Sequence, residues 1–224
     1  MATMDAITEW TNAQARVIEL VESLNATEAQ LPVPSCPAWT VHDLLAHVVG
    51  LDADVLAGDE PDDHNPNWTQ AQVDRRSAHD IAAIVAEWRT MTDPMTAWMS
   101  ENGTRPLGDV IIHEQDLRGA VRVSGAQDNA GLAALRSMMA DGFATKVGKA
   151  GLGPVALIGS SWTFNTSDEP PALTVQASDF DLTRALMSRR SEAQLRSWTT
   201  SGDIADYLPL FAALGSLPEK SLSE

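Results

Sequence analysis

Along most of this chain the apolar residues return every three or four positions, and that period commits it to packed helices. Trp10, Ala13, Val17, Leu20, Val21 and Leu24 form the first such stripe, which predicts a helix over roughly residues 3–24. The prolines of "LPVPSCPAW" interrupt it, and Thr40 with Asp43 three places later has the form of a capping box that opens a second helix to about residue 56. "GDEPDDHNPN" reads as a solvated acidic loop, since it lacks the ligand order and the glycine of an EF-hand. A third helical region follows Ser77 and Asp80, with Ile81, Ile84, Val85, Trp88, Met91, Met95, Trp98 and Met99 on one face. Pro94 should bend or divide it, and its Met and Trp residues read as core filling. A fourth helix starts near Pro106 and a fifth spans about residues 130–147. Long amphipathic helices joined by short loops bury their stripes on one another as an up-and-down bundle.

After "GKAGLGP" the period changes. "VALIGSSWTFNT", "ALTVQA" and "QLRSWTTSG" have the composition of short strands, with helical pieces at about 179–187 and 203–214. The expected protein is therefore mainly α, a four-helix bundle over residues 1–150 followed by a small α+β domain over 151–224. No apolar run approaches the ~18–20 residues that span a bilayer, and the N-terminus lacks the pattern of a signal peptide, so a cytoplasmic protein is expected. The formal charge of −16 repels phosphate backbones and anionic lipids, which argues against nucleic-acid and membrane partners. Cys36 is the single cysteine; it cannot form an internal disulfide, and its turn between prolines suggests a small packed residue.

The stretch "LGDVIIHEQDLRGAV" places polar groups on an otherwise apolar helix. Asp109 and His113 stand one turn apart, flanked by Val110 and Leu117. Helical bundles use that spacing to hold a divalent metal, although a carboxylate and an imidazole can also simply pair. Among the five histidines, His64 falls in the acidic loop and His79 in the first turn of a helix, both read as exposed, and His42 also falls in a first turn. His47 is surrounded at helical spacings by Leu44, Val48, Leu51 and Val55, which turns it toward the core as a third ligand. Two inward histidines and an aspartate carry a desolvation cost that a cation would offset.

"CPAWTVHDLLAHVVG" together with "LGDVIIHEQDLRGAV" resembles the mycothiol-dependent maleylpyruvate isomerase family, and "DLTRALMSRRSEAQLRSWTTSGD" is similar to its small C-terminal domain. The resemblance implies a DinB-like four-helix bundle whose divalent metal is held by His47, Asp109 and His113. Zinc is the metal usually assigned, and nickel, manganese or iron suit the oxygen ligand. The family's isomerase carries glutamate where this chain has Asp109, one methylene shorter. The resemblance further implies mycothiol as an external low-molecular-weight thiol that adds to a small electrophile, for isomerisation or thiol transfer. Arg118 is a candidate for binding a substrate carboxylate, or else an ion-pair partner of Asp116, Glu114 or Asp43. Asp116 is a candidate for orienting a ligand imidazole, and Arg189 and Arg190 for closing over the site. The alternative is a metal-binding or regulatory bundle without turnover. A monomer or homodimer fits either.

Overall fold

The computed structural model describes residues 5–61 and 65–223. Two compact units divide it, one up to Ala126 and the other over Gln127–Ser223. His64 and part of the acidic loop lie outside the described residues.

In the first unit α1 (Ala6–Glu22) starts at Asp5, whose carboxylate accepts from the amides of Ile7 and Thr8. Its inward stripe is Trp10, Ala13, Gln14, Val17, Ile18 and Val21. β1 (Pro32–Val33) and β2 (Cys36–Thr40) pair antiparallel as a small hairpin in the Pro-rich stretch, where a plain interruption was expected. The hairpin runs directly into α2 (Val41–Ala57), and Thr40 and Asp43 form the reciprocal capping box that their spacing predicts. Such a cap contributes about 1 kcal/mol. Gly58, at φ 71°, ends the helix in the left-handed conformation glycine tolerates best.

The next element was not foreseen. α3 (Pro66–Asp74) follows Asn65, whose side chain accepts from the amide of Trp68. It packs on α2 at Gly50, where a β-carbon would lie 2.4 Å from Cβ of Gln72. The third rod is broken in two, α4 (Ile81–Thr90) and α5 (Thr92–Asn102). α4 is capped by Asp80, with Ser77 three residues outside it. The break falls at Met91, three residues before Pro94, because the proline ring would collide with the carbonyl four residues back if the helix were continuous. α6 (Arg105–Val121) closes the unit and lies against α1 and α2. α1, α2, the α4–α5 pair and α6 thus make the four-helix bundle, with Trp10, Trp88, Leu44, Leu45 and Ile111 among its fully buried side chains.

The second unit begins with α7 (Ala130–Lys149), earlier than the change of period at residue 150 suggests. The reason lies in the core: Ala140, Phe143 and Val147 of α7 join Val155, Leu157, Leu173, Val175, Leu182 and Phe211. β3 (Val155–Ile158), β4 (Thr163–Asn165), β5 (Leu173–Gln176) and a later β6 form a sheet in the order β4-β3-β5-β6, with β3 and β5 parallel and the outer pairs antiparallel. α8 (Asp179–Leu186) occupies the expected helical piece. "QLRSW", expected as strand, is instead helical in α9 (Glu192–Trp198), because Ser191 and Gln194 form a second capping box; only β6 (Thr199–Ser201) is extended. Of the piece expected at 203–214, a short 3-10 turn over Ala205–Tyr207 and α10 (Leu208–Phe211) are helical. No described helix is long and apolar enough to cross a membrane.

Candidate metal centre

α2 and α6 pack together in the first unit, and their facing sides bring His47, Asp109 and His113 to one point. His47 projects from a helix that is buried along most of its length. His113 follows Asp109 by one turn, so both emerge from the same face of α6. His47 Nε2 is 3.8 Å from Asp109 Oδ1 and His113 Nε2 is 3.5 Å from the same oxygen. The two imidazoles meet edge to face with centroids 5.1 Å apart.

These separations exceed an ordinary hydrogen bond. Atoms bound to a common cation at about 2.0–2.2 Å lie roughly 3–3.5 Å from one another, close to what is found. Asp109 Oδ2 is buried and has no hydrogen-bond partner. A buried carboxylate oxygen left unsatisfied is costly, on the order of 1–3 kcal/mol or more, and a cation would satisfy it. The donor set of two imidazole nitrogens and a carboxylate suits a divalent metal such as zinc.

The surrounding groups orient the trio. His113 Nδ1 is 2.9 Å from Oδ2 of the buried Asp116, one turn on. His47 Nδ1 is 2.7 Å from Oε1 of Gln72, which is fully buried on α3. The indole of Trp39, from β2, tilts over the His47 ring at 4.8 Å. Burial pulls the His47 pKa down, but the nearby Asp109 carboxylate and its charge, with help from Gln72 and Asp52, outweigh it and leave the imidazole above its ordinary value. Burial pushes Asp109 up, yet the nearby His113 and His47 imidazoles and the charge of Arg105 bring its carboxyl below the usual range. Asp52, on α2, is pushed up to about 8 by burial despite the 2.7 Å bond from Trp88 Nε1, with the charge of Asp109 adding to the rise.

The remaining sequence candidates make the following contacts. Arg118 is not brought to the centre: its Nε and Nη2 donate to Glu114 Oε1 at 3.2 and 3.1 Å, and Arg16 of α1 grips the same buried carboxylate. That favours its ion-pair role, and the physical reason is helix phase, since position 118 lies about half a turn round α6 from the Asp109–His113 face. Asp116 orients an imidazole, as its spacing suggests. His42 Nε2 meets the carbonyl of His79 at 2.7 Å, and His79 precedes α4 and does not begin it. Arg190 donates to Asp181 and Arg189 to the carbonyl of Met187, both within the second unit.

Cys36, expected as a small packed residue, lies beside the His113–Asp116 pair. Its half-buried thiol lies 3.7 Å from Asp116 Oδ2, the oxygen that also meets His113. Cys36, His113 and Asp116 themselves form a second group close enough to hold an ion, on the Nδ1 side of the ring. Sequence reasoning also passed over Gln72, Trp39 and Asp52. Asn65 before Pro66 was the available signal for α3, an N-cap followed by proline at the first helical position.

A four-helix bundle with two imidazoles and a carboxylate converging in its interior defines a class of helical protein built around a candidate metal site. Residues 10–118, which carry all three of these side chains, match the family described as the mycothiol maleylpyruvate isomerase N-terminal domain, and this stretch is similar to that domain. Two crystal structures of mycothiol-dependent maleylpyruvate isomerase have the same fold. One, of a histidine-to-alanine variant, is 10% identical, with 90% of this chain and 94% of that one covered at a TM-score of 0.58. The other is 11% identical with the same coverage and a TM-score of 0.56. No curated protein gives a significant sequence match.

Proposed function

We propose that this protein is a metal-dependent enzyme of the mycothiol-dependent maleylpyruvate isomerase type, with His47, Asp109 and His113 holding a divalent cation, zinc in the first instance. The observation that carries the reading is the unsatisfied Asp109 Oδ2 beside two imidazole nitrogens that approach the same carboxylate without bonding to it closely. Three protein ligands leave open positions, the arrangement of a catalytic rather than a structural site. A cation there supplies Lewis acidity that favours the thiolate form of a thiol near neutral pH.

The chain's own residues prepare the site for that chemistry. Asp116 holds the His113 ring and Trp39 covers the His47 ring. Cys36 lies on the Nδ1 side of His113, away from the nitrogen that faces Asp109, so the reacting thiol comes from outside, and mycothiol is the one the family suggests. In the reaction proposed, the thiolate sulfur bonds to one carbon of a cis double bond conjugated to a carbonyl in a small electrophile. The displaced π pair moves onto the carbonyl side, from which it returns when the thiolate leaves. The carbon–carbon bond is then single and rotates, and loss of the thiol restores the double bond in the other geometry.

Protein purified without chelator should contain close to one equivalent of divalent metal by elemental analysis, and His47→Ala or Asp109→Ala should lose most of it. Cobalt-substituted protein should change its visible spectrum on addition of mycothiol and catalyse isomerisation of cis-enoic diacids only with the thiol present. Metal without any thiol response would favour the non-catalytic binding protein instead.

A further inference from the structure

His47 and Asp54 stand two turns apart on α2, and Gln72 reaches across from α3 to touch both. Arg75 Nη2 contacts both oxygens of Asp54, at 2.6 and 2.7 Å. Gln72 Nε2 donates to Asp54 Oδ2 at 2.9 Å. Turning the amide over would set its oxygen against that carboxylate, so the amide nitrogen must face Asp54 and Oε1 must face His47. A carbonyl oxygen only accepts. The nitrogen 2.7 Å away, His47 Nδ1, therefore carries the proton, and in the neutral ring the lone pair is left on Nε2, toward Asp109.

We propose that Arg75, Asp54 and Gln72 form a positioning relay that locks neutral His47 in the Nδ1–H tautomer and aims its Nε2 lone pair at the cation position. The relay makes the two imidazoles unequal donors: His113 leans on a carboxylate, whereas His47 leans on a neutral amide. Its role in holding metal rests on the function proposed above; the tautomer does not.

The test uses full-length, 15N-histidine-labelled protein stripped of metal, with long-range 1H–15N spectra recorded well above the histidine titration range. His47 is expected as Nδ1–H. In Gln72→Met the Nε2–H form grows in, and the zinc Kd, read by chelator competition, rises about 10- to 100-fold. Arg75→Ala, at a half-exposed position, shifts both readings in the Gln72→Met direction by less, with helix content unchanged, and serves if Gln72→Met does not fold. An Nε2–H tautomer in the unsubstituted protein, or an unaltered tautomer and Kd in Gln72→Met or Arg75→Ala, overturns the relay. If the unsubstituted protein binds no zinc while its Nδ1–H form still depends on Gln72, the metal reading falls and the tautomer lock stands.

Discussion

Burial holds the Asp52 carboxyl neutral up to about pH 8, whereas in the unfolded chain it ionises near 3.8. Between those values the folded metal-free protein binds the extra proton, so its stability is greatest in acid and falls as pH rises from about 4 to about 8 through this group. Asp52→Asn keeps an oxygen for the Trp88 indole and removes the cost of the carboxyl. Denaturant titrations of the metal-free variant should show it more stable at pH 8 by roughly 2–4 kcal/mol, with the gain vanishing near pH 4. Equal stabilisation at both pH values would show that Asp52 is ionised in the fold. At this scale the convergence of His47, Asp109 and His113 was legible, because helix phase turns all three inward. Asp52 and Gln72 were not, since their importance comes from which helix lies opposite, and nothing in their own spacing reports that.

The rods of the bundle were legible as elements wherever an apolar stripe met a capping signal, as at Thr40 and Asp43. α3 escaped because "PNWTQAQVD" carries little apolar periodicity and is held by its contact with α2 rather than by a stripe of its own. That contact depends on Gly50. Alanine favours a helix over glycine by about 1 kcal/mol, yet here its methyl would overlap Gln72 Cβ. Gly50→Ala should therefore destabilise by about 1–3 kcal/mol in equilibrium unfolding and should also weaken zinc binding, although residue 50 touches no ligand. A neutral or stabilised variant would mean that α3 yields easily. The Pro94 break was foreseen in kind but displaced by one turn, since proline strains the carbonyl four residues behind it, not its own position.

Across the whole molecule the charge of −16 opposes any anionic substrate, even where a cation would attract it locally. For a dicarboxylate substrate, kcat/KM should rise a few-fold between about 10 and 300 mM monovalent salt, as the Debye length shrinks from roughly 30 Å to under 8 Å. A fall over that range would show the encounter to be steered by local positive charge. The two-part organisation was legible from the change of period, while its boundary was not, because α7 has the amphipathic pattern of a bundle helix and only its partners assign it to the second core. Asp109 Oδ2, buried without a partner, has a consequence for anyone handling the protein. If the proposed site holds a cation, so electron-rich a trio would take up whichever divalent ion is plentiful, and copper or nickel leached from an affinity column would displace weaker-binding metals by the general order of affinities. The ion recovered from an overexpressing culture will then record the growth medium and the resin, and competition at buffered free-ion concentrations is the measurement that ranks the true preferences.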